Sequence, residues 1–160
     1  MLGSDYDGQV CSAARALEVV GQRWTLLIVR DLTLGTVRFE DLVTSLGVTR
    51  SILTKRLGHL EEHGIITREL YQEHPPRYEY CLTPKGEELL PVLARLLEWG
   101  DRHYPEPAGP TRLLRHTGCG GDVHDRLICE HCGDHVAPRD VTPLPGPALL
   151  EARTAGSGTD

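Results

Sequence analysis

The chain has 160 residues, a net charge of −6 and charged side chains at a quarter of its positions, which bounds it to one soluble globular domain with a small appendage. No apolar run approaches the roughly 18 residues that a membrane span needs; "WTLLIV" stops at once at Arg30 and Asp31. "MLGSDYDGQV" has neither the basic nor the apolar segment of an export signal, so a cytoplasmic protein with no membrane partner is expected. In that reducing compartment, cysteines at ligand spacing favour zinc over disulfides.

The acidic charge argues against nucleic acid as a partner, but its distribution matters more than its sum. "TRSILTKRLGHL" (Thr49–Leu60) carries three basic residues and no acid, and one locally basic helix suffices for an acidic protein to meet DNA.

In chain order, residues 1–10 read as a flexible N-terminal arm. "CSAARALEVVG" predicts a first helix capped by Ser12 and ended by Gly21. "RWTLLIVRDLTLG" predicts a second, more buried helix. In "RFEDLVTSLG", Phe39, Leu42, Val43 and Leu46 fall at i, i+3, i+4 and i+7 of a third. "VTRSILTKRLGHLEEHG" predicts a fourth, capped by Thr49, stopped by Gly64, with Leu53, Leu57 and Leu60 inward. "IITREL" and "RYEYCL" then read as strands around the turn "YQEHPP". "TPKGEELLPVLARLLEWGDRHY" predicts one long helix with Thr83 as cap, Pro84 in its first turn and a bend at Pro91. "PEPAGPT", within 105–111, reads as a linker, 112–140 as a Cys/His module and 141–160, rich in Pro, Gly and Thr, as a disordered tail. No internal repeat is visible.

The expected fold is therefore mainly α with a small β wing: a winged helix-turn-helix domain over 11–104, responsible for DNA binding and dimerisation, plus a short C-terminal zinc-ribbon-like module. On a 3.6-residue wheel the fourth helix turns Ser51, Thr54, Lys55, Gly58 and His59 outward, with Arg50 and Arg56 on its flanks. Small polar and basic side chains on that face suit a major groove, where Ser and Thr meet base edges and Arg or Lys pair with guanine. Arg77 and Arg68 on the wing and Arg38 before the third helix are candidate phosphate contacts, which position without specifying. The alternative for all of them is a solvated surface, and a protein-interaction adaptor that has lost DNA binding remains a competing function.

"CSAARALEVVGQRWTLLIVRDL", "RFEDL", "LGHLEEHGIITR" and "PRYEYCLTPKGEEL" occur in that order, and together they resemble the HxlR-type winged-helix transcriptional regulators, relatives of the MarR family. The resemblance covers about 11–104. It implies a homodimer that binds a palindromic operator on double-stranded DNA through the helix at 49–63 and the wing at 65–83, usually as a repressor, with flanking helices as the dimer interface. Ser12, where such proteins often have Pro, and Gly21-Gln22, where they often have Gly-Gly, are departures that leave the fold intact. Leu89, Leu90, Val92, Leu93, Leu96, Leu97 and Trp99 give the last helix more apolar surface than one packed face uses.

Cys11 matches the N-terminal cysteine that some of these regulators use to sense oxidants or electrophiles; the alternative is a small packing residue. Cys81, between Tyr80 and Leu82, reads as packing. A small-molecule inducer is the other candidate signal, with Trp24, Trp99 and Tyr104 as pocket residues. His116, Cys119, Cys129 and Cys132 stand at the spacing of a closed Cys3His structural zinc site, with Gly120 and Gly133 after the second donor of each pair. Four protein donors leave no open position for water, which excludes hydrolytic chemistry. The sequence also lacks phosphate-binding, dinucleotide and nucleophile-elbow motifs, so no enzyme is expected. The alternatives are a ribbon folded without metal, a redox dithiol at Cys129 and Cys132, and a sensor regulator switched through Cys11 or the Cys/His cluster. His124 and His135 are spare ligands, and His131, between two cysteines, ranks lowest.

Overall fold

The computed structural model describes Tyr6, residues 9–124 and residues 126–156. Most of the expected N-terminal arm lies outside the described residues, as do the last four residues of the expected tail. The chain divides into two compact units, Val19–Asp125 and a second made of Met1–Glu18 with Arg126–Asp160. No described helix is long and apolar enough to cross a membrane.

The larger unit follows the expected order: α1 (Ser12–Val20, its last residues), α2 (Thr25–Thr33), α3 (Phe39–Leu46), α4 (Arg50–Glu62), β1 (Ile66–Gln72) and β2 (Arg77–Leu82). Ile28, Val29, Leu32, Leu42, Leu46, Leu53, Leu57, Leu60, Ile65, Ile66 and Leu93 form one buried cluster, so the helical periodicity read from sequence is the packing pattern. Ser12 is the first helical residue of α1 rather than its cap, because Arg15 N–H already bonds to Cys11 C=O.

A tight turn joins α3 to α4. Gly47 takes φ +62°, which L side chains adopt at a cost, and Val48 is buried beneath it. Thr49 Oγ1 then accepts the Ile52 N–H and starts α4. The strands pair antiparallel with Ile66 opposite Leu82 and Leu70 opposite Tyr78. Of β1, only Ile66 is buried, so the hairpin projects as a wing. At its tip the Gln72 amide donates to the carbonyls of His74 and Pro75.

The motif "TPKG" fastens the wing's end to α4. Thr83 N–H and Oγ1–H donate to Ile65 C=O and Gly64 C=O, at 3.0 and 2.7 Å. Lys85 Nζ donates to His63 C=O. Gly86 is buried so closely that a Cβ there would lie 2.2 Å from the Ile65 carbonyl oxygen.

The expected single long helix is instead two, α5 (Pro84–Glu87) and α6 (Leu90–His103). Pro91 has no N–H to give the carbonyl of residue 87, so it tolerates only the first turn of a helix. The chain restarts there, after a 3.1 Å bond from Leu89 N–H to Gly86 C=O.

The segment 112–125 belongs to the larger unit, where His124 Nδ1 lies 3.2 Å from Glu98 Oε1 of α6. In the smaller unit, Pro147–Gly156 forms α7. Ala148, Leu149, Leu150, Glu151 and Ala152 are strong helix formers, and flanking Pro, Gly and Thr hid them in the averaged composition.

Candidate nucleic-acid interface

On α4 the inward stripe is sealed: Leu53 and Leu60 are fully buried and Leu57 is 3% exposed. Arg50, Ser51, Thr54 and Lys55 are exposed on the outside, as the wheel requires. Thr54 Oγ1–H donates to Arg50 C=O, which leaves its oxygen free to accept. His59 departs from the expected outward position: its Nε2 lies 3.0 Å from Val19 C=O, so it ties α4 to the end of α1. Arg56 is half-buried with a buried Nε and is not part of the outer face. Gly58 has nothing within 4 Å of where a Cβ would stand.

Three of the arginines around this face are engaged. Arg50 Nη1 and Nη2 donate to both carboxylate oxygens of Glu40 on α3, each at 2.6 Å, and its guanidinium lies 5.9 Å from the Phe39 ring centre. Arg38 Nε donates to Glu79 Oε1 of β2 at 2.9 Å and stacks over Tyr71 at 4.8 Å; hydrogen bonding to Glu79 raises its pKa. Arg68 Nε lies 3.2 Å from Glu61 Oε1 and stacks over Tyr78 at 4.9 Å. Lys55 and Arg77 have no ion-pair partner among the described residues. None of the three glutamates was singled out by sequence reasoning. Each lies too far along the chain from its arginine for local spacing to pair them, although Glu40 at the start of α3 faces Arg50 across a short turn.

The Cys/His segment holds two small loops of the same form, one in each unit. In the first, Gly120 N–H donates to His116 C=O, His116 N–H to Gly121 C=O and Val123 N–H to Leu114 C=O. In the second, Gly133 N–H donates to Cys129 C=O, Cys129 N–H to Asp134 C=O and Val136 N–H to Leu127 C=O. Bridges join Arg115 to Asp122 and Ile128 to His135, and Gly120 and Gly133 take φ +73° and +76°. The segment is therefore a structural repeat, in which His116 answers to Cys129 and Cys119 to Cys132. This corrects the expectation of no internal repeat.

Each loop gathers its own donors. His116 Nδ1 lies 3.2 Å from Cys119 Sγ, and the imidazole lies so close over Gly118 that a Cβ there would be 3.0 Å from it. The backbone N–H groups of Cys132 and His131 and the Cys132 thiol donate to the Cys129 sulfur and hold its thiol below the usual range. Among the described residues, no three His, Cys, Asp or Glu side chains are gathered as one ion needs. His124 faces Glu98 instead of a cysteine. All five cysteines are free thiols; Cys11 is exposed and Cys81 half-buried.

On α6, Val92, Leu96 and Trp99 form an exposed apolar stripe at i, i+4 and i+7, each about half exposed. With Leu26, Pro91 and Arg95 they line an open groove of about 550 Å³. Of the expected pocket aromatics only Trp99 lines this groove. Tyr104 touches the Trp99 ring, and Trp24 packs on the core cluster with Arg23 over its face.

The HxlR-like helix-turn-helix family matches residues 19–108, the stretch containing the turn, α4 and the wing. An HTH-type transcriptional regulator of Mycobacterium tuberculosis is 44% identical over 156 residues, 98% of this chain and 97% of the relative. Among solved structures, PA1607, described as a candidate transcription factor, superposes with a TM-score of 0.74 at 32% identity, covering 87% of this chain and 97% of that one. The redox regulator HypR in its oxidized form gives 0.54 at 33% identity over 58% of this chain and 97% of its own. The chain therefore belongs to the HxlR-like helix-turn-helix family and is a DNA-binding transcriptional regulator of the HTH type.

Proposed function

We propose that the protein is a homodimeric repressor that reads a palindromic operator, with α4 in the major groove and the wing on the adjacent backbone. The observation that carries this reading is the outer face of α4, where exposed Arg50, Ser51, Thr54 and Lys55 back onto a fully buried leucine stripe. Such a helix can enter a groove without exposing core. Arg77 and Arg38 supply phosphate contacts beside it. The second copy is the occupant proposed for the α6 groove, whose Val92, Leu96 and Trp99 are too apolar to stay wet. A mobility-shift titration on duplexes selected from random DNA tests the reading. Arg50→Ala with Lys55→Ala abolishes the shift; unchanged affinity removes α4 from the interface. An affinity that falls steeply with salt separates phosphate contact from an adaptor role.

A structural zinc is also part of the proposal, with His116 and Cys119 from one loop and Cys129 and Cys132 from the other as ligands. Support comes from the repeat: both loops place two donors three residues apart and turn them with a positive-φ glycine, and backbone amides face the Cys129 sulfur. Small loops of this kind draw much of their folding free energy from the ion. Purified protein should carry about one zinc per chain, lost in Cys132→Ser and kept in Cys81→Ser; metal-free protein with unchanged stability refutes it.

A sensor reading is favoured by one further observation, the exposed Cys11, together with the likeness to a protein named as a redox regulator. If oxidant weakens DNA binding in the wild type and not in Cys11→Ser, Cys11 is the switch; an equal response in both places the inducer elsewhere.

A further inference from the structure

Three of the arginines bordering the DNA-facing surface are held alike, with a carboxylate on the guanidinium edge and an aromatic ring beside it: Arg50 by Glu40 and Phe39, Arg38 by Glu79 and Tyr71, Arg68 by Glu61 and Tyr78. We propose that Glu40, Glu79 and Glu61 determine the specificity of the interface. They fix the direction of their arginines and cancel those charges at a distance, leaving non-specific attraction to Lys55 and Arg77. The inference rests on the DNA-binding reading above.

A lone arginine on such a surface attracts any phosphate from about a Debye length, 8–10 Å. An arginine paired with a glutamate presents a dipole instead, which fades much faster with distance. At contact it is still a donor: Arg50 spends one hydrogen of each Nη on Glu40, and about three of the five guanidinium donors remain, now held in one direction. DNA in the right register meets prepaid geometry; DNA in the wrong register gains nothing from these groups. The pairs are exposed, so they contribute little to stability. That argues against a structural purpose for so consistent an arrangement. It also accounts for how a regulator of net charge −6 keeps acids at its own interface.

The test compares two charge-matched triple variants in the full-length protein. One carries Glu40→Gln, Glu61→Gln and Glu79→Gln. The other carries Glu69→Gln, Glu73→Gln and Glu87→Gln, acids with no ion-pair partner among the described residues. Binding is measured to a duplex selected by the wild type and to a scrambled duplex of the same composition, across a salt series. Freeing the arginines should tighten scrambled-duplex binding about tenfold and steepen its salt slope by about one per protomer for each arginine, with a smaller gain on the selected duplex, so the discrimination ratio falls. The control triple should shift both duplexes together and keep the ratio. Equal behaviour of the two triples, or an unchanged ratio in the first, overturns the inference. Elution from heparin provides an arm independent of DNA: the first triple should elute at higher salt than the control, and co-elution overturns it. Absence of salt-dependent DNA binding by the wild type would refute the DNA-binding reading itself, while the heparin arm still decides whether the acids mask the arginines.

Discussion

Gly86→Ala isolates the contact that joins the wing to the helices. The added Cβ would stand 2.2 Å from the Ile65 carbonyl oxygen and 3.1 Å from Leu82 Cδ2. Real Cβ contacts stop near 3.0 Å, so α5 or the start of β1 must move by about 0.8 Å. The oxygen in the way is not idle, since it accepts from Thr83 N–H at 3.0 Å, with Thr83 Oγ1 3.2 Å away. Overpacking of this kind costs about 1–3 kcal/mol, and weakening that bond adds about 1 kcal/mol. Against this, alanine gains about 1 kcal/mol of helix propensity over glycine. The net is a loss of about 1–3 kcal/mol. Gly58→Ala provides the opposite sign: mid-helix, with nothing within 4 Å of the new methyl group, it should stabilise by about 0.5–1 kcal/mol. Paired urea titrations of both variants against the wild type read the difference as midpoint shifts at constant slope. If Gly86→Ala is as stable as Gly58→Ala, the packing of α5 against the Ile65 carbonyl is wrong.

Three further outcomes are expected. Arg30→Ala leaves Asp31, 2% exposed with Oδ2 unpartnered, without the two bonds to Oδ1; denaturation should show a loss of about 2–4 kcal/mol, part of it recovered by adding Asp31→Asn, and a loss below 0.5 kcal/mol contradicts the burial of that pair. Leu96→Glu places a charge in the α6 groove, and sedimentation should shift from dimer to monomer while far-UV helicity holds; a persistent dimer assigns the interface elsewhere. Burial pushes the Glu98 carboxyl up, but hydrogen bonds to His124 and Arg95 outweigh it and hold the group below its ordinary 4.5. A depressed folded pKa means that the stabilisation is full above the unfolded value and lost as pH falls through the folded one, so the stability difference between wild type and Glu98→Gln should be constant near neutrality and shrink below 4.5; no change in that window removes the contact.

The sequence specified α4 well because one periodicity, a cap at Thr49 and a stop at Gly64 agree on it. His59 was misplaced because a wheel assigns a flank residue by angle alone, and only the packed position of α1 shows that Val19 C=O awaits it. The Arg38–Glu79 and Arg68–Glu61 pairs depend on where the wing folds back, which no local pattern carries. The repeat in the Cys/His segment escaped because His stands at 116 where Cys stands at 129; the shared hydrogen bonds are backbone bonds, indifferent to that exchange. The break between α5 and α6 was legible as Pro91, but bend and restart differ only in whether the carbonyls ahead of it find other partners.

The wing is anchored from both sides. At one edge Tyr80 N–H bonds to Val37 C=O at 2.8 Å and Arg38 bridges to Glu79, so the residues leading into α3 serve as a one-residue third strand. At the other, Thr83 and Lys85 hold the end of α4. Wing and α4 are therefore fixed relative to each other, and on the proposed DNA-binding reading they form a ruler of fixed length along the duplex. A base pair inserted between the segment under α4 and the segment under the wing would not be absorbed by the protein, and the two contacts would then compete for it instead of adding.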